Sequence, residues 1–252
     1  MSRPVRLSLF GVAGAGLAAV LVIAFRGLPD FGAYHGVYGQ ALDGFGVTLR
    51  HATDLITALN FDFRAFDTLG EEFILFVSVL GIALILREMR GEHEAPHQGE
   101  ADEHHFADAS HALRALALGL TPGLIALAVY IIVHAQLTPG GGFQGGIILG
   151  AGPLPVFLAG RYLRMKRIAP HVLVEVADAV GAAGYALLGI SGLVLTGVFL
   201  KDALPLGIPG HLLSGGQMEV ASVLVGLEVS GAFLVAWSEF LDQAMVVKDG
   251  AE

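Results

Sequence analysis

Six apolar runs separated by shorter polar segments dominate the pattern of this chain. They cover residues 5–25, 69–86, 111–134, 143–159, 179–200 and 218–240. A run of about 20 apolar residues can cross the ~30 Å hydrocarbon core of a bilayer as an α-helix. Helices pair their own backbone groups, which the bilayer interior requires. The pattern therefore predicts an all-α, polytopic transmembrane protein with about six spans, two before a long polar stretch and four after it.

The first run is flanked by Arg3, Arg6 and Arg26. A cleaved signal peptide is the alternative interpretation. The run is long for the apolar region of a signal peptide, and no small-x-small cleavage site precedes a polar mature start. We therefore expect a retained membrane helix.

A less apolar segment follows, and residues 47–59 have apolar positions at helical spacing. Arg50, His51 and Asp54 fall on the opposite side. This pattern predicts an amphipathic or re-entrant helix that lies at a membrane interface or against a partner. Whether this segment crosses the membrane is left open by the sequence.

The long polar stretch, residues 87–110, is rich in histidine and carboxylates. Those side chains bind zinc or nickel when their spacing is ordered. The spacing here fits no ordered site, and such tracts are characterised by their composition. We predict an acidic, solvated linker at residues 91–110 and no metal site.

Composition supports an integral membrane protein and excludes several other classes. Hydrophobic residues make up 54% of the chain and charged residues 15%, against about a quarter charged in soluble proteins. The formal net charge of −9 argues against nucleic acid, which requires basic patches. The chain has no cysteine, which excludes disulfides and thiolate-held iron–sulfur clusters. No nucleotide loop or activated nucleophile indicates an enzyme, and no cofactor is expected.

The most distinctive stretch follows the third run and reads TPGGGFQGG. Its members are Thr138, Pro139, Gly140, Gly141, Gly142, Phe143, Gln144, Gly145 and Gly146. Proline fixes φ, and glycine tolerates positive φ and lets another backbone approach closely. The stretch is therefore either a tight turn or a broken helix that packs against another element or lines an ion path.

This stretch, placed after a helix that ends at His134, resembles the B subunit of Mrp-type multisubunit cation/proton antiporters. The same subunit type recurs in membrane-bound hydrogenase complexes. The resemblance covers about residues 111–241. It implies a non-catalytic membrane subunit that helps to exchange Na⁺ or a similar cation for H⁺, with other membrane subunits and the lipid bilayer as its partners.

A second resemblance lies in residues 45–86 and centres on Asp67, Thr68, Gly70 and Glu71. It is similar to an element shared by the C-terminal region of the Mrp A subunit and the E subunit of membrane-bound hydrogenases, close to DFRGFDTLGE, with Ala65 in place of a glycine. Three parts are therefore expected: a module at 1–90, the linker at 91–110 and a B-subunit-like four-helix module at 111–252.

Glu71 and Glu228 are the first candidates for an ion or proton path. Glu71 either completes a helix-capping box with Thr68 or takes up a cation or proton at the membrane edge. Glu228 lies in the middle of an apolar run. A carboxylate at such depth costs about 2.5–3.5 kcal/mol unless it is protonated, paired or in contact with water. The alternative is a protonated glutamic acid that is hydrogen-bonded between helices.

Three further candidates accompany these two carboxylates. His134 and Gln144 are expected near the mouth of the path. Asp178, which stands near the start of the fifth run with Glu175, either joins the path or interacts with the helix dipole as an acid of the first turn.

The distribution of the 14 lysines and arginines predicts the orientation. With six spans, ten of them lie on the side of the termini and four on the other. By the positive-inside rule both termini are cytoplasmic, in a multi-pass protein of the inner cell membrane. The glycine motif and Glu71 then lie near the outer face. Two other functions stay open, a structural scaffold in a redox-driven membrane complex and a stand-alone carrier.

Overall fold

The computed structural model describes residues 3–28, 32, 36–91, 110–159, 165 and 168–249, without the side chains of residues 6, 87–91 and 242–249. The linker expected at 91–110 lies almost wholly outside the described residues. Regular structure in the described part is helical, apart from one isolated antiparallel bridge between Gly207 and Ser214. The prediction of an all-α polytopic membrane protein is confirmed.

The helices are named here in chain order. They are α1 (Arg3–Arg26), α2 (Val37–Arg50), α3 (Leu55–Ala58), α4 (Ala65–Gly91), α5 (His111–Val133), α6 (Gly142–Ala151), α7 (Leu154–Leu158), α8 (His171–Thr196) and α9 (Met218–Asp249), with one turn of π-helix (Leu59–Phe63) before α4. Within the described part, α1, α4, α5, α8 and α9 are long and apolar enough to cross a membrane.

The fourth predicted span, residues 143–159, is not one long helix. It consists of α6 and α7, which together run over Gly142–Leu158. The break falls at Gly152 and Pro153, where the Gly152 N–H bonds to Leu149. Pro153 and Pro155 have no N–H to donate, so the helical ladder cannot run through them unbroken. The two prolines in this apolar run therefore divide the fourth span into two shorter helices.

Two compact units divide the chain, residues 1–41 and 42–252. In the first unit, α1 is exposed along its whole described length. An apolar helix with no buried residue lacks a core of its own, so its surface has to be covered by lipid or by another subunit.

The second unit is a helical bundle built around α9. The most apolar stretch of α9 is 56% buried inside the protein, against 28% or less in the other long helices. Helices α4, α5, α6 and α8 all pack against it. Buried Val79 of α4 clusters with Val174 of α8 and with Ala232 and Val235 of α9. A helix surrounded in this way is the place where a buried polar side chain has to find its partners inside the protein.

The helix expected at 47–59 has different bounds. Helix α2 begins at Val37 and ends at Arg50, and His51 has a positive φ of 52°. Asp54 then caps α3, with its carboxylate accepting from the N–H groups of Ile56 and Thr57 at 3.3 Å each. The local capping chemistry of Asp54 starts a new helix, which the spacing of the apolar residues did not reveal.

Backbone hydrogen bonds join the segment before α4 to the segment after α5. The carbonyl of Gln136 accepts from the N–H groups of Thr53 at 2.9 Å and Asp54 at 3.1 Å. The Thr53 hydroxyl donates to the carbonyl of Leu137 at 2.8 Å. These bonds hold the two segments that carry the two sequence motifs next to each other.

Candidate functional site

The glycine motif contains both a turn and a packing surface. Gly140 and Gly141 have φ values of 150° and 133°, a conformation that L side chains rarely adopt. The chain then enters α6 at Gly142. Sequence reasoning had left a turn and a packing element as alternatives, and the structure has the two in succession.

Three glycines spaced four residues apart form the face of α6 that contacts α9. A Cβ atom on Gly142 would stand 2.5 Å from the Ser222 carbonyl oxygen, and one on Gly146 would stand 3.0 Å from that of Gly226. The same atom on Gly150 would stand 3.1 Å from the Ser230 carbonyl oxygen. Contact this close requires residues without a side chain, as in small-residue packing of membrane helices. Since the residue numbers of the contacting pairs rise together along the two helices, α6 and α9 run parallel.

Glycines also bring α8 close to α9, on another side of α9. A Cβ on Gly181 would lie 2.5 Å from the Glu228 nitrogen, and one on Gly231 would lie 2.6 Å from the Asp178 nitrogen. The pairing of 181 with 228 and of 178 with 231 shows that these helices are antiparallel. The backbones around Glu228 and Asp178 are therefore too close for lipid or bulk water to enter between them.

Three carboxylic acids from three helices occupy the interior of this bundle. Glu72 of α4 is 1% exposed, Glu228 of α9 is 0% exposed, and Asp178 of α8 is 8% exposed. The carboxyl groups of Glu72 and Glu228 lie close enough to interact with each other. Neither oxygen of either glutamate, nor Oδ1 of Asp178, has a hydrogen-bond partner in the described part of the chain. We call Glu72, Asp178 and Glu228 the acid cluster.

The acid cluster faces no cation in the described part of the chain, where the ion pairs involve other carboxylates. Two carboxylates cannot both stay ionised side by side in a low-dielectric interior. The two carboxyl groups can form a hydrogen bond only when one of them carries a proton, because an ionised carboxylate only accepts. The cluster therefore needs either a bound proton or a bound cation.

Two hydroxyl groups, those of Thr68 and Tyr185, lie on the side of Glu72 that faces the glycine motif; we call them the hydroxyl row. Thr68 lies one helical turn before Glu72 and donates to the carbonyl of Asn60 at 2.7 Å. The Tyr185 hydroxyl is buried next to Thr68 and donates to the carbonyl of Ala65 at 3.1 Å. Because Thr68 lies inside α4 and donates to Asn60, it does not cap the start of that helix, and the capping-box alternative for Glu71 is not supported.

The two sequence motifs line the same small cavity of ≈ 30 Å³. Its walls are Thr57, Asn60, Phe61, Thr68, Gly140, Gly141, Gly142, Phe143 and Gln144. A polar cavity of that size holds at least one water molecule. The hydroxyl row thus begins at a site that both motifs build, and Gln144, an expected mouth residue, is part of it.

Glu71 and His134 lie apart from the acid cluster. Glu71 is exposed on α4, one residue away from buried Glu72. His134 follows the last turn of α5, where its ring stacks on Tyr130 with centroids 4.1 Å apart and its Nδ1 lies 3.0 Å from the Tyr130 carbonyl oxygen. Glu219, at the start of α9, is close to His134. His134 therefore lies at the end of the bundle where α5 ends and α9 begins.

Sequence reasoning missed Glu72 and placed Asp178 in the wrong part of its helix. Glu72 continues the inward face marked by Ala65 and Thr68 at helical spacing, a signal that the adjacent Glu71 obscured. Helix α8 begins at His171, so Asp178 lies two turns inside it rather than in the first turn. That position removes the helix-dipole explanation for Asp178, since the dipole acts within the first turn.

Comparisons with known proteins match this architecture. Residues 112–235 match the family model described as a domain related to the MnhB subunit of the Na⁺/H⁺ antiporter. An uncharacterised protein of Methanocaldococcus jannaschii is 28% identical over 201 residues, covering 72% of this chain and 76% of that protein.

Two solved complexes contain similar chains. One is the membrane-bound sulfane sulfur reductase, an archaeal respiratory membrane complex (TM-score 0.70, 27% identity), where 94% of this chain matches 98% of that chain. The other is the Mrp complex from Dietzia sp. DQ12-45-1b (TM-score 0.69, 28% identity), where 95% of this chain matches 26% of that chain.

Proposed function

We propose that this chain, which is similar to the MnhB-related family model over residues 112–235, is a membrane subunit of a cation antiporter-type complex and helps that complex to exchange Na⁺ or a similar cation for H⁺. The acid cluster is the part of the ion path that this chain contributes. It binds the proton or the cation between entry and release. Other membrane subunits of the same complex supply the rest of the path.

The observation that carries this proposal is the buried pair of Glu72 and Glu228. A purely structural pair at this depth would be expected to meet a hydrogen-bond donor or a cation, because an unpaired carboxylate in the membrane costs several kcal/mol. These two carboxyl groups instead face each other, with Asp178 as the next acid. Such a cluster keeps one exchangeable proton and releases it when a cation enters.

The cavity at the two motifs is the proposed mouth on one side. Gln144 and the Thr68 hydroxyl lie at the cavity, and Tyr185 and Glu72 follow Thr68 inward. With both termini in the cytoplasm, this mouth opens towards the outer face. Glu71, His134 and Asp178 stay in the proposal, Asp178 inside the acid cluster and Glu71 and His134 at contacts with neighbouring subunits or water.

Isosteric variants of the acid cluster test the proposal. Glu228→Gln and Glu72→Gln keep the shape of the side chain and abolish its titration. Each is expected to assemble normally and to lower Na⁺/H⁺ exchange in membrane vesicles by roughly tenfold or more, as for loss of a proton-transferring group. Asp43→Asn, which changes an exposed carboxylate of α2, is the matched control and should exchange at the wild-type rate.

A structural scaffold in a redox-driven complex is the second candidate. It is favoured by the match to nearly the whole length of one chain in the archaeal respiratory complex. A scaffold tolerates Glu228→Gln with full transport and full assembly. Purification of the tagged chain in mild detergent, followed by mass spectrometry, separates the two types of complex, since only the redox complex brings iron–sulfur or nickel proteins with it.

A further inference from the structure

A second group of titratable side chains lies at the opposite end of the bundle from the glycine motif. His171 is the first residue of α8, and its Nδ1 lies 3.2 Å from Oε2 of Glu175. Its Nε2 lies 4.0 Å from Oε1 of Glu239, near the far end of α9. We call His171, Glu175 and Glu239 the histidine cluster.

The histidine cluster has two solvent-exposed members and one buried member. The side chains of His171 and Glu175 are 55% and 57% exposed, whereas that of Glu239 is 8% exposed. A histidine changes its charge between pH 5 and 8 more readily than any other ordinary side chain, so it exchanges protons with water at neutral pH. His171 lies between solvent and the buried carboxyl group of Glu239, which is where a group that accepts protons from water into the bundle would lie.

Asp178 connects this cluster to the interior. It follows Glu175 by three residues on the same helix, and residues at that spacing are neighbours on a helix surface. Its Oδ1 atom is buried and has no hydrogen-bond partner in the described part of the chain. On its inner side Asp178 interacts with Glu72 and Glu228. Because Oδ1 of Asp178 is unpaired and lies between Glu175 and the pair of Glu72 and Glu228, it can hold a proton that passes from one to the other.

We propose that His171 is the proton-exchange group of this chain at the end of the bundle opposite the glycine motif, and that it passes protons through Glu175 and Asp178 to the acid cluster. This inference rests on the proposed function, because it requires the acid cluster to bind protons. It adds an entrance that neither motif marked, on the side predicted to be cytoplasmic.

Each transfer conserves atoms and charge. A hydronium ion from the solvent delivers a proton to a ring nitrogen of His171, which forms an imidazolium ion and leaves a water molecule. The ring N–H bond that faces Glu175 then breaks as an O–H bond forms on the Glu175 carboxylate, and the His171 ring returns to the neutral state. The proton then moves to Oδ1 of Asp178, by direct contact or through one water molecule, and from there to the pair of Glu72 and Glu228. Glu239 stabilises the imidazolium from the α9 side.

The test is chemical rescue of His171→Ala in the whole complex. Na⁺/H⁺ exchange in membrane vesicles is expected to fall by roughly tenfold. Added imidazole should restore a large part of the rate, since a half-exposed site admits a small base. Rates are compared with those of wild type at each imidazole concentration, because imidazole also dissipates pH gradients. His211→Ala, which removes an exposed histidine of the loop before α9, should keep the wild-type rate with or without imidazole.

Two results would overturn the inference. One is a normal rate in His171→Ala. The other is a loss that imidazole does not restore although the complex is fully assembled, which would indicate a structural role. If His171→Ala fails to assemble, His171→Asn decides, because asparagine keeps a hydrogen bond to Glu175 but carries no exchangeable charge. A slow His171→Asn variant supports the proposal, and a fast one contradicts it.

The failure of this inference is distinguishable from failure of the proposed function. Glu228→Gln at the full wild-type rate removes the acid cluster from the path and therefore both proposals. An inactive Glu228→Gln together with a fully active His171→Ala removes only the histidine entrance.

Discussion

Glu72 of α4 and Glu228 of α9 bring their carboxyl groups close together in the interior of the bundle. Both side chains are almost completely buried. Glu228 lies on the central helix, close to Gly181 of α8, and Glu72 lies on the neighbouring α4. A buried pair of carboxyl groups on two different helices is difficult to explain by packing alone.

We predict that this pair retains a proton at neutral pH. Protonated carboxyl groups have an infrared C=O stretch that carboxylates lack. The spectrum of the wild-type complex near neutral pH should contain such a band, and the Glu72→Gln/Glu228→Gln double variant should have less of it. Identical spectra for the two proteins would mean that both carboxyl groups are ionised, and a bound cation would then have to balance them.

The glycines of α6 should be sensitive to the smallest enlargement. Gly146→Ala places a Cβ 2.8 Å from the Val229 Cβ and 3.0 Å from the Gly226 carbonyl oxygen, so α6 and α9 have to move apart. We expect a loss of roughly 1–3 kcal/mol in the free energy of unfolding, as for overpacked cores. The measurement is thermal denaturation in detergent.

Gly119→Ala provides the matched control for the α6 variant. A Cβ on this α5 glycine meets nothing within 4 Å. The substitution should leave stability unchanged or raise it slightly, because alanine has the higher helix propensity. Equal losses for the two variants would show that the glycine face of α6 does not hold α9.

An ion pair outside the spans should make stability depend on pH. Arg50 pairs with Asp62 and also lies 5.3 Å above the ring of Phe63. Burial nevertheless raises the pKa of Asp62 above its ordinary 3.8, with Arg50 opposing the shift and Asp202 adding to it. Burial likewise raises the pKa of Asp202, against hydrogen bonds from the N–H groups of Leu204 and Gln217.

The raised pKa of Asp62 determines how the stability of the folded protein changes with pH. A raised pKa means that the folded chain binds the proton more readily, so the contribution of Asp62 to stability is largest at acid pH and is lost as pH rises through the raised pKa. Arg50→Ala removes the cation that opposes the shift. It should therefore destabilise the protein more at about pH 8 than at about pH 5.

The size of the Arg50→Ala effect has an upper bound. Breaking a fully buried ion pair costs roughly 3–5 kcal/mol. The Arg50 side chain is 31% exposed, so its loss should cost less than that. In an Arg50→Ala/Asp62→Asn double variant, the dependence on pH introduced by Arg50→Ala should disappear. A pH-independent effect of Arg50→Ala would contradict the assignment.

The sequence predicted the fold class and the segments of the site better than the individual residues. The glycine spacing of Gly142, Gly146 and Gly150 is a helix-packing pattern, but nothing local indicates that α9 is the partner. Glu72 and Glu71 are chemically identical neighbours, and only the packing of α4 against α8 and α9 decides which one is buried. Hydrophobic runs locate membrane helices by their own composition, whereas a buried pair depends on contacts between segments far apart in the chain.

The orientation predicted from the lysines and arginines can be tested directly, because the chain has no cysteine. His211→Cys places one thiol in the loop before α9, and Ser110→Cys places one just before α5. Gly145 of α6 packs against Ala128 of α5, and Gly152 packs against Ile125, so α5 and α6 are antiparallel. Because α6 and α9 are parallel, these two positions lie at opposite ends of the bundle. With both termini cytoplasmic, a membrane-impermeant maleimide added to whole cells should label His211→Cys and leave Ser110→Cys unlabelled. Labelling in inverted vesicles should give the opposite pattern. The reverse assignment in both preparations would place the glycine motif on the cytoplasmic side, and the histidine cluster would then exchange its protons with the outside.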